Sequence, residues 1–296
     1  MAQDLLNALT LGSLYLLFAL GMSLAWGTIG ILNFAHGSIF VFAAFTAHLL
    51  VQEVALPMPA MLAVGAAVGA VLSLLVQVLA FEPIQRRATD HRKAEMQILV
   101  GGIGIAIIPL AVAQRLTGSV PFGYSAGTFR VSTWDLGFVR LSNVQLVTLV
   151  AALGLAAVIG WWLRAARPGL ALRAIGVDAE VASMMGVDRR RLALLTMAVA
   201  GGLAGLAGVL LTYYLGSIAP ETGDAFLLKA FAAIILGGVG SIAGVVIGAM
   251  VLAGIETLVL VTTSGTWAPA IAFGVIFLML LVRPNGLLGR QEVRRT

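Results

Sequence analysis

Three polar side chains, Asn33, His36 and Glu256, stand in stretches of this 296-residue chain that are otherwise apolar. A polar or charged group at membrane depth is costly unless it finds a partner, so such residues mark either contacts between helices or a wet path for a polar solute. Asn33 and His36 share the run Ile31-Leu-Asn-Phe-Ala-His-Gly37. Two readings stand for them: Asn33 caps a helix that begins inside the membrane while His36 bonds to a neighbouring helix, or both touch a solute. Glu256 is likewise either paired with a neighbouring helix or lines a wet path. Lys229 reads as snorkelling outward rather than binding a solute. The break Gly237-Gly-Val-Gly-Ser241 belongs with these residues, because irregular backbone at membrane depth is tolerated only inside protein or beside water.

Enzymatic chemistry is not expected. No Gly-x-x-x-x-Gly-Lys-Ser/Thr phosphate loop occurs, and Gly237–Ser241 lacks the lysine that would contact phosphates, so the chain is not expected to hydrolyse ATP by itself. Gly101-Gly-Ile-Gly104 does not complete a dinucleotide fingerprint. The three histidines, His36, His48 and His91, fall in separate segments and there is no cysteine, which speaks against a metal site, thiolate chemistry and disulfides. No catalytic residue, metal or cofactor is assigned.

A charged island at 164–192 lies between two apolar stretches and carries a short helix with legible ends. Asp178 is placed to cap its N-terminus, Glu180 sits in the first turn where the helix dipole favours negative charge, and Gly186 is placed to end it in the left-handed conformation. Val181, Met184 and Met185 fall on one face at helical spacing. This is either a small amphipathic helix displayed to a soluble partner or an ordinary helical loop.

The elements that must position these residues follow from composition. Hydrophobic residues make up 60% of the chain and charged residues 10%, and the mean hydropathy is +1.03. An ordinary soluble domain carries about a quarter charged residues. Repeated apolar runs near the ~20 residues that cross a bilayer predict an all-α polytopic membrane protein, and strand-length alternation is missing. The spacing predicts spans at about 5–26, 31–52, 60–81, 96–114, 143–163, 192–214 and 268–282. Residues 227–262 read as a short half-helix, a turn and a returning helix. That gives about eight transmembrane helices plus a broken, re-entrant helix near 227–241, in a single transmembrane domain over 1–296. Glycines four apart (Gly65 and Gly69; Gly201 and Gly205; Gly240, Gly244 and Gly248) read as tight helix packing.

Charge sets the expected orientation. The net charge of +5 suits retention of basic residues on the cytoplasmic side better than nucleic-acid binding. The segment 82–95 holds four, the island six and the tail from Arg283 four of the 18 Lys and Arg. All three are expected in the cytoplasm, with the N-terminus and residues 115–142 outside. The start, Met-Ala-Gln-Asp-Leu-Leu, lacks the basic region of a signal peptide and is expected to belong to the mature protein.

Gly12-Ser-Leu-Tyr15 with Ala19-Leu-Gly21, Ile31–Gly37, Gly169-Leu-Ala-Leu-Arg-Ala174, Met185-Gly-Val-Asp188, Gly205-Leu-Ala-Gly-Val-Leu210, Lys229-Ala-Phe-Ala-Ala, Leu236–Ile242 and Pro284-Asn-Gly-Leu-Leu-Gly-Arg290 resemble the permease subunits of branched-chain amino-acid ABC importers. The Asn-Phe-Ala-His-Gly run is similar to the LivH-type branch. The resemblance implies an inner-membrane permease that supplies the path for leucine, isoleucine, valine or a similar small solute. It implies as partners a second homologous permease, two cytoplasmic ATP-binding subunits and a periplasmic solute-binding protein. It also implies that the island is the coupling segment, with contact helix Asp178–Met185 flanked by Arg173 and Arg189–Arg191. Permeases for urea and short amides are similar. A secondary transporter or a passive channel remains a rival class.

Overall fold

The computed structural model of the chain describes residues 1–87, 91–124, 129, 131–135, 137–262, 267–283 and 286–288. Its elements are α1 (Ala2–Ile29), α2 (His36–Glu53), α3 (Met58–Val76), α4 (Glu82–Arg87), α5 (His91–Thr117), α6 (Asn143–Ala165), α7 (Arg167–Val177), α8 (Ala179–Met184), α9 (Arg189–Leu215), α10 (Thr222–Gly237), α11 (Ile242–Thr262) and α12 (Ala268–Val282). A two-stranded antiparallel hairpin, β1 (Thr133–Asp135) and β2 (Arg140–Ser142), pairs Thr133 with Ser142. A π-helical stretch, Gln77–Phe81, joins α3 to α4 so that Met58–Arg87 runs as one element.

Six of these helices are long and apolar enough to cross a membrane: α1, the Met58–Arg87 run, α5, α6, α9 and α11. The chain is an all-α polytopic membrane protein. The shorter α2, with 18 residues, and α12, with 15, bring the long elements to the expected number. Residues 222–262 form a broken hairpin: its arm α10 has 16 residues and begins five residues before the expected 227, which puts Lys229 mid-helix, and α11 is the returning helix.

Helix α1 is the axis of the bundle. Its apolar window is 89% buried, against 17% for α5, whose outer face is left to lipid or to another chain. A helix apolar on every side must be enclosed or face lipid, and α1 is enclosed by α6, α9, α10 and α11. The predicted close packing is present between α3 and α9. A Cβ on Gly69 would overlap the Gly201 carbonyl, and one on Gly205 would overlap the Gly65 carbonyl, so these backbones approach to a distance only glycine allows.

Contacts fix which segments share an end of the bundle. At one end, Gln3 bonds to Arg140 on the hairpin, and Phe122 pairs with Ile218 in an isolated antiparallel bridge. At the other, Gly27 packs on Gly240, the Leu287 and Leu288 amides donate to the Leu236 and Gly237 carbonyls, and Arg190 pairs with Glu82. The described parts of the three basic segments therefore lie together, opposite the N-terminus. Residues 88–90, 284–285 and 289–296 of those segments lie outside the described residues.

Candidate functional site

Glu256 is paired. Its Oε1 lies 2.6 Å from Lys229 Nζ, and its Oε2 accepts from the Tyr15 hydroxyl at 2.6 Å. Lys229 also donates to the Tyr15 oxygen at 2.7 Å, which closes a ring of three hydrogen bonds between α1, α10 and α11. Glu256 is thus paired with neighbouring helices, as one of its two readings has it. The outward snorkel expected of Lys229 is not: its side chain is 25% exposed and turns inward, because an unpaired Glu256 would be a buried charge without compensation. Both Glu256 oxygens are engaged, whereas Lys229 has a third ammonium proton to offer. Tyr15 stands near the midpoint of α1 and packs edge-on to Phe226 at 5.2 Å. Phe226 stacks on Phe40, also at 5.2 Å.

Asn33 and His36 sit in the connection that returns the chain from α1 into the bundle. Both are buried. His36 Nε2 lies 3.2 Å from the Phe18 carbonyl of α1. Phe18 is 11 residues, about 16 Å, from the Ile29 end of α1, so α2 does begin inside the bundle. Asn33 is not its N-cap residue, however. That position is Ala35, whose amide donates to Asn33 Oδ1 at 2.9 Å, so Asn33 shapes the turn leading into the helix. Its Nδ2 is buried without a partner. Phe18 and Phe226 stand between His36 and the Tyr15–Lys229–Glu256 ring, so the three predicted path residues form two groups rather than one. A cavity of about 160 Å³ opens near the first of them, lined among others by Gly37, Ser38, Ile103, Ile107 and Asp224.

The island contains the helix its sequence announces. Asp178 Oδ1 accepts from the Glu180 and Val181 amides, each at 3.0 Å, and caps α8. Gly186 takes φ +85°, the left-handed stop. Val181, Met184 and Met185 are 54%, 85% and 81% exposed, so the amphipathic face points away from the bundle and only Ala182 of α8 is buried. Arg173 is exposed on α7, a second helix within the island besides the expected short one. Pro168 at the first turn starts α7, where its missing amide hydrogen is no loss. The island is also fastened from below. Glu82, 9% exposed, binds both Arg86 and Arg190, so Arg190, itself largely exposed, ties the start of α9 to the Met58–Arg87 helix.

Among the described residues no group of three or more His, Cys, Asp or Glu is arranged to hold a metal. What remains is a multi-pass membrane protein with a charge pair inside the bundle and an apolar helix displayed at its basic end, the outline of a transport subunit. The model of the family described as "Branched-chain amino acid transport system / permease component" matches residues 5–282, and the chain belongs to that family. It is 31% identical to the high-affinity branched-chain amino acid transport system permease protein LivH of Escherichia coli K12, covering 99% of this chain and 97% of that protein. It is 29% identical to BraD of Pseudomonas aeruginosa, a permease of the same description, over the same shares. A more distant likeness, 25% identity over 95% of this chain and 77% of the relative, is to the fructose import permease protein FruF of Bifidobacterium longum.

Proposed function

We propose that the chain is the membrane-spanning permease of an ATP-driven importer of branched-chain amino acids in the bacterial inner membrane. It supplies the path, pairs with a second homologous permease, and receives the power stroke from two cytoplasmic ATP-binding subunits. A periplasmic solute-binding protein delivers cargo at the opposite end, where β1 and β2 lie. The observation that carries the reading is α8: a capped helix presenting Val181, Met184 and Met185 outward at the basic end of the bundle. Large exposed apolar side chains outside the membrane favour a protein partner. The positive-inside rule puts that end, and the coupling segment 164–192, in the cytoplasm where ATPases reside. Arg173, Asp178, Glu180 and Gly186 then shape and flank the contact that Val181, Met184 and Met185 make. Asn33, His36 and Glu256 belong to the inner path.

The 31% identity to LivH favours a branched-chain amino acid over urea or a short amide as cargo. An ion-coupled secondary transporter is disfavoured because the two buried carboxylates among the described residues, Glu82 and Glu256, are both held by basic side chains. A channel has no use for α8. The test is reconstitution with the second permease, the ATPases and the binding protein. ATP-dependent uptake of leucine by the full complex and none by this chain alone is the expected result; robust flux through the isolated chain refutes the proposal.

A further inference from the structure

We propose that the Lys229–Glu256 pair is a binding site for a zwitterionic solute, which opens the ring by taking the place of each residue as the other's partner. This rests on the reading of the chain as an amino-acid permease and names the residues that recognise the charged part of the cargo.

The ring holds α10, the short arm of the broken hairpin, to α1 and α11 through Lys229, Tyr15 and Glu256. Moving α10 away would leave an ammonium and a carboxylate facing a poorly solvated interior without counter-charges, a costly state. The empty permease is therefore held closed. A solute can relieve that cost only by serving both charges. A cation satisfies Glu256 and strands Lys229; an anion does the reverse; a neutral amide compensates neither. An α-amino acid carries an ammonium and a carboxylate on one carbon. Its carboxylate accepts from Lys229 Nζ, its ammonium donates to Glu256 Oε1, and no net charge enters the bundle. The Tyr15 hydroxyl, which accepts from Lys229 at 2.7 Å and donates to Glu256 at 2.6 Å, can turn from the carboxylate of Glu256 to that of the solute. The solute's aliphatic side chain meets an aromatic wall, Phe226 against Tyr15 and Phe40, each at 5.2 Å between ring centres. Opening is thereby tied to cargo of the right charge type.

The experiment follows thermal unfolding of the detergent-purified permease–ATPase complex with three probes: leucine, isocaproate (leucine without its ammonium) and isoamylamine (leucine without its carboxylate). Leucine stabilises the wild type and the other two do not. In Glu256→Gln, Lys229 keeps its charge and isocaproate becomes the preferred ligand. In Lys229→Gln the preference passes to isoamylamine. Each ratio of apparent affinities shifts by at least about tenfold, the effect of losing one charge-assisted contact. A pair that only staples helices weakens assembly without exchanging ligand preference. An unchanged preference in both variants, or no stabilisation of the wild type by leucine, overturns the proposal. If the single variants do not assemble, the double variant Lys229→Gln/Glu256→Gln leaves no uncompensated charge and carries the test: loss of leucine stabilisation supports the site, and wild-type leucine binding overturns it. ATP-driven leucine uptake by the wild-type complex is measured alongside. Uptake with no switch in preference sinks this inference alone, whereas absence of uptake sinks the reading beneath it.

Discussion

Arg190 Nε lies 2.7 Å from Glu82 Oε1, and that contact joins the end of the Met58–Arg87 helix to the start of α9. Glu82 is shared, since Arg86 one turn along its own helix binds the same oxygen. The carboxylate is nearly buried while Arg190 is largely exposed. Removing the centre of the cluster should therefore matter more than removing one arm. Glu82→Ala is expected to destabilise the purified protein by about 1–3 kcal/mol, the scale for losing hydrogen bonds to a charged group. Arg190→Ala is expected to cost about 0–1 kcal/mol, because Arg86 stays in place. Thermal unfolding in one detergent compares them, and equal losses contradict the shared-centre arrangement.

The exposed face of α8 gives the opposite pattern, no cost to the free protein and a large cost to function. Val181 and Met184 touch little of the bundle, so Val181→Asp or Met184→Asp should change stability by no more than about 0.5 kcal/mol. Burying either new carboxylate against an ATPase is expected to cost a few kcal/mol and to abolish co-purification and uptake. Normal ATP-driven uptake by both variants refutes a docking role for α8.

How far the sequence revealed these features depends on whether the determining interactions are local. Asp178, Glu180 and Gly186 specify α8 within nine residues of chain, and its cap and stop are where their residue types place them. The Asn33 side chain serves the turn before α2 instead of capping the helix, because the chain spends two more residues turning before the helix starts. Lys229 departs from the expected outward snorkel because it lies mid-helix in α10 and not at the start of a half-helix. A hairpin folded at 238–241, with Gly237 on Gly244 and Ala233 on Gly248, sets residue 229 opposite about residue 252. Glu256 is one turn further, within a lysine's reach. Tyr15 had no such signal, since its partners are more than 200 residues away and its neighbours are apolar. The π-helical stretch Gln77–Phe81 left only a slight mark, the single polar Gln77 in an otherwise apolar run from Leu74 to Phe81.

The glycine contacts between α3 and α9 admit a sharp comparison. Gly205→Ala places a methyl group into the Gly65 carbonyl, and backbone has nowhere to yield, so membrane yield and thermal stability should fall steeply. Gly254→Ala has nothing within 4 Å of the added carbon and should be neutral or stabilising by up to about 1 kcal/mol, as alanine is the better helix former. The two variants share chemistry and differ only in approach distance. Equal yields would mean that α3 and α9 do not pack as closely as described.

Coupling through α8 and delivery of cargo at the opposite end both need the basic end to face the cytoplasm. The chain has no cysteine, so single cysteines can be introduced without background. Asp178 caps α8 at the basic end, and Arg140 lies on the hairpin against Gln3 at the other; both are exposed. In intact cells with a permeabilised outer membrane, a membrane-impermeant maleimide is expected to label Arg140→Cys at once and Asp178→Cys only after the inner membrane is opened. Positions 88, 125 and 292, also expected inside, outside and inside, lie outside the described residues and are not needed for the result. Labelling of position 178 from the periplasm would invert the orientation. It would remove α8 from any cytoplasmic ATPase, whatever the fold and the family.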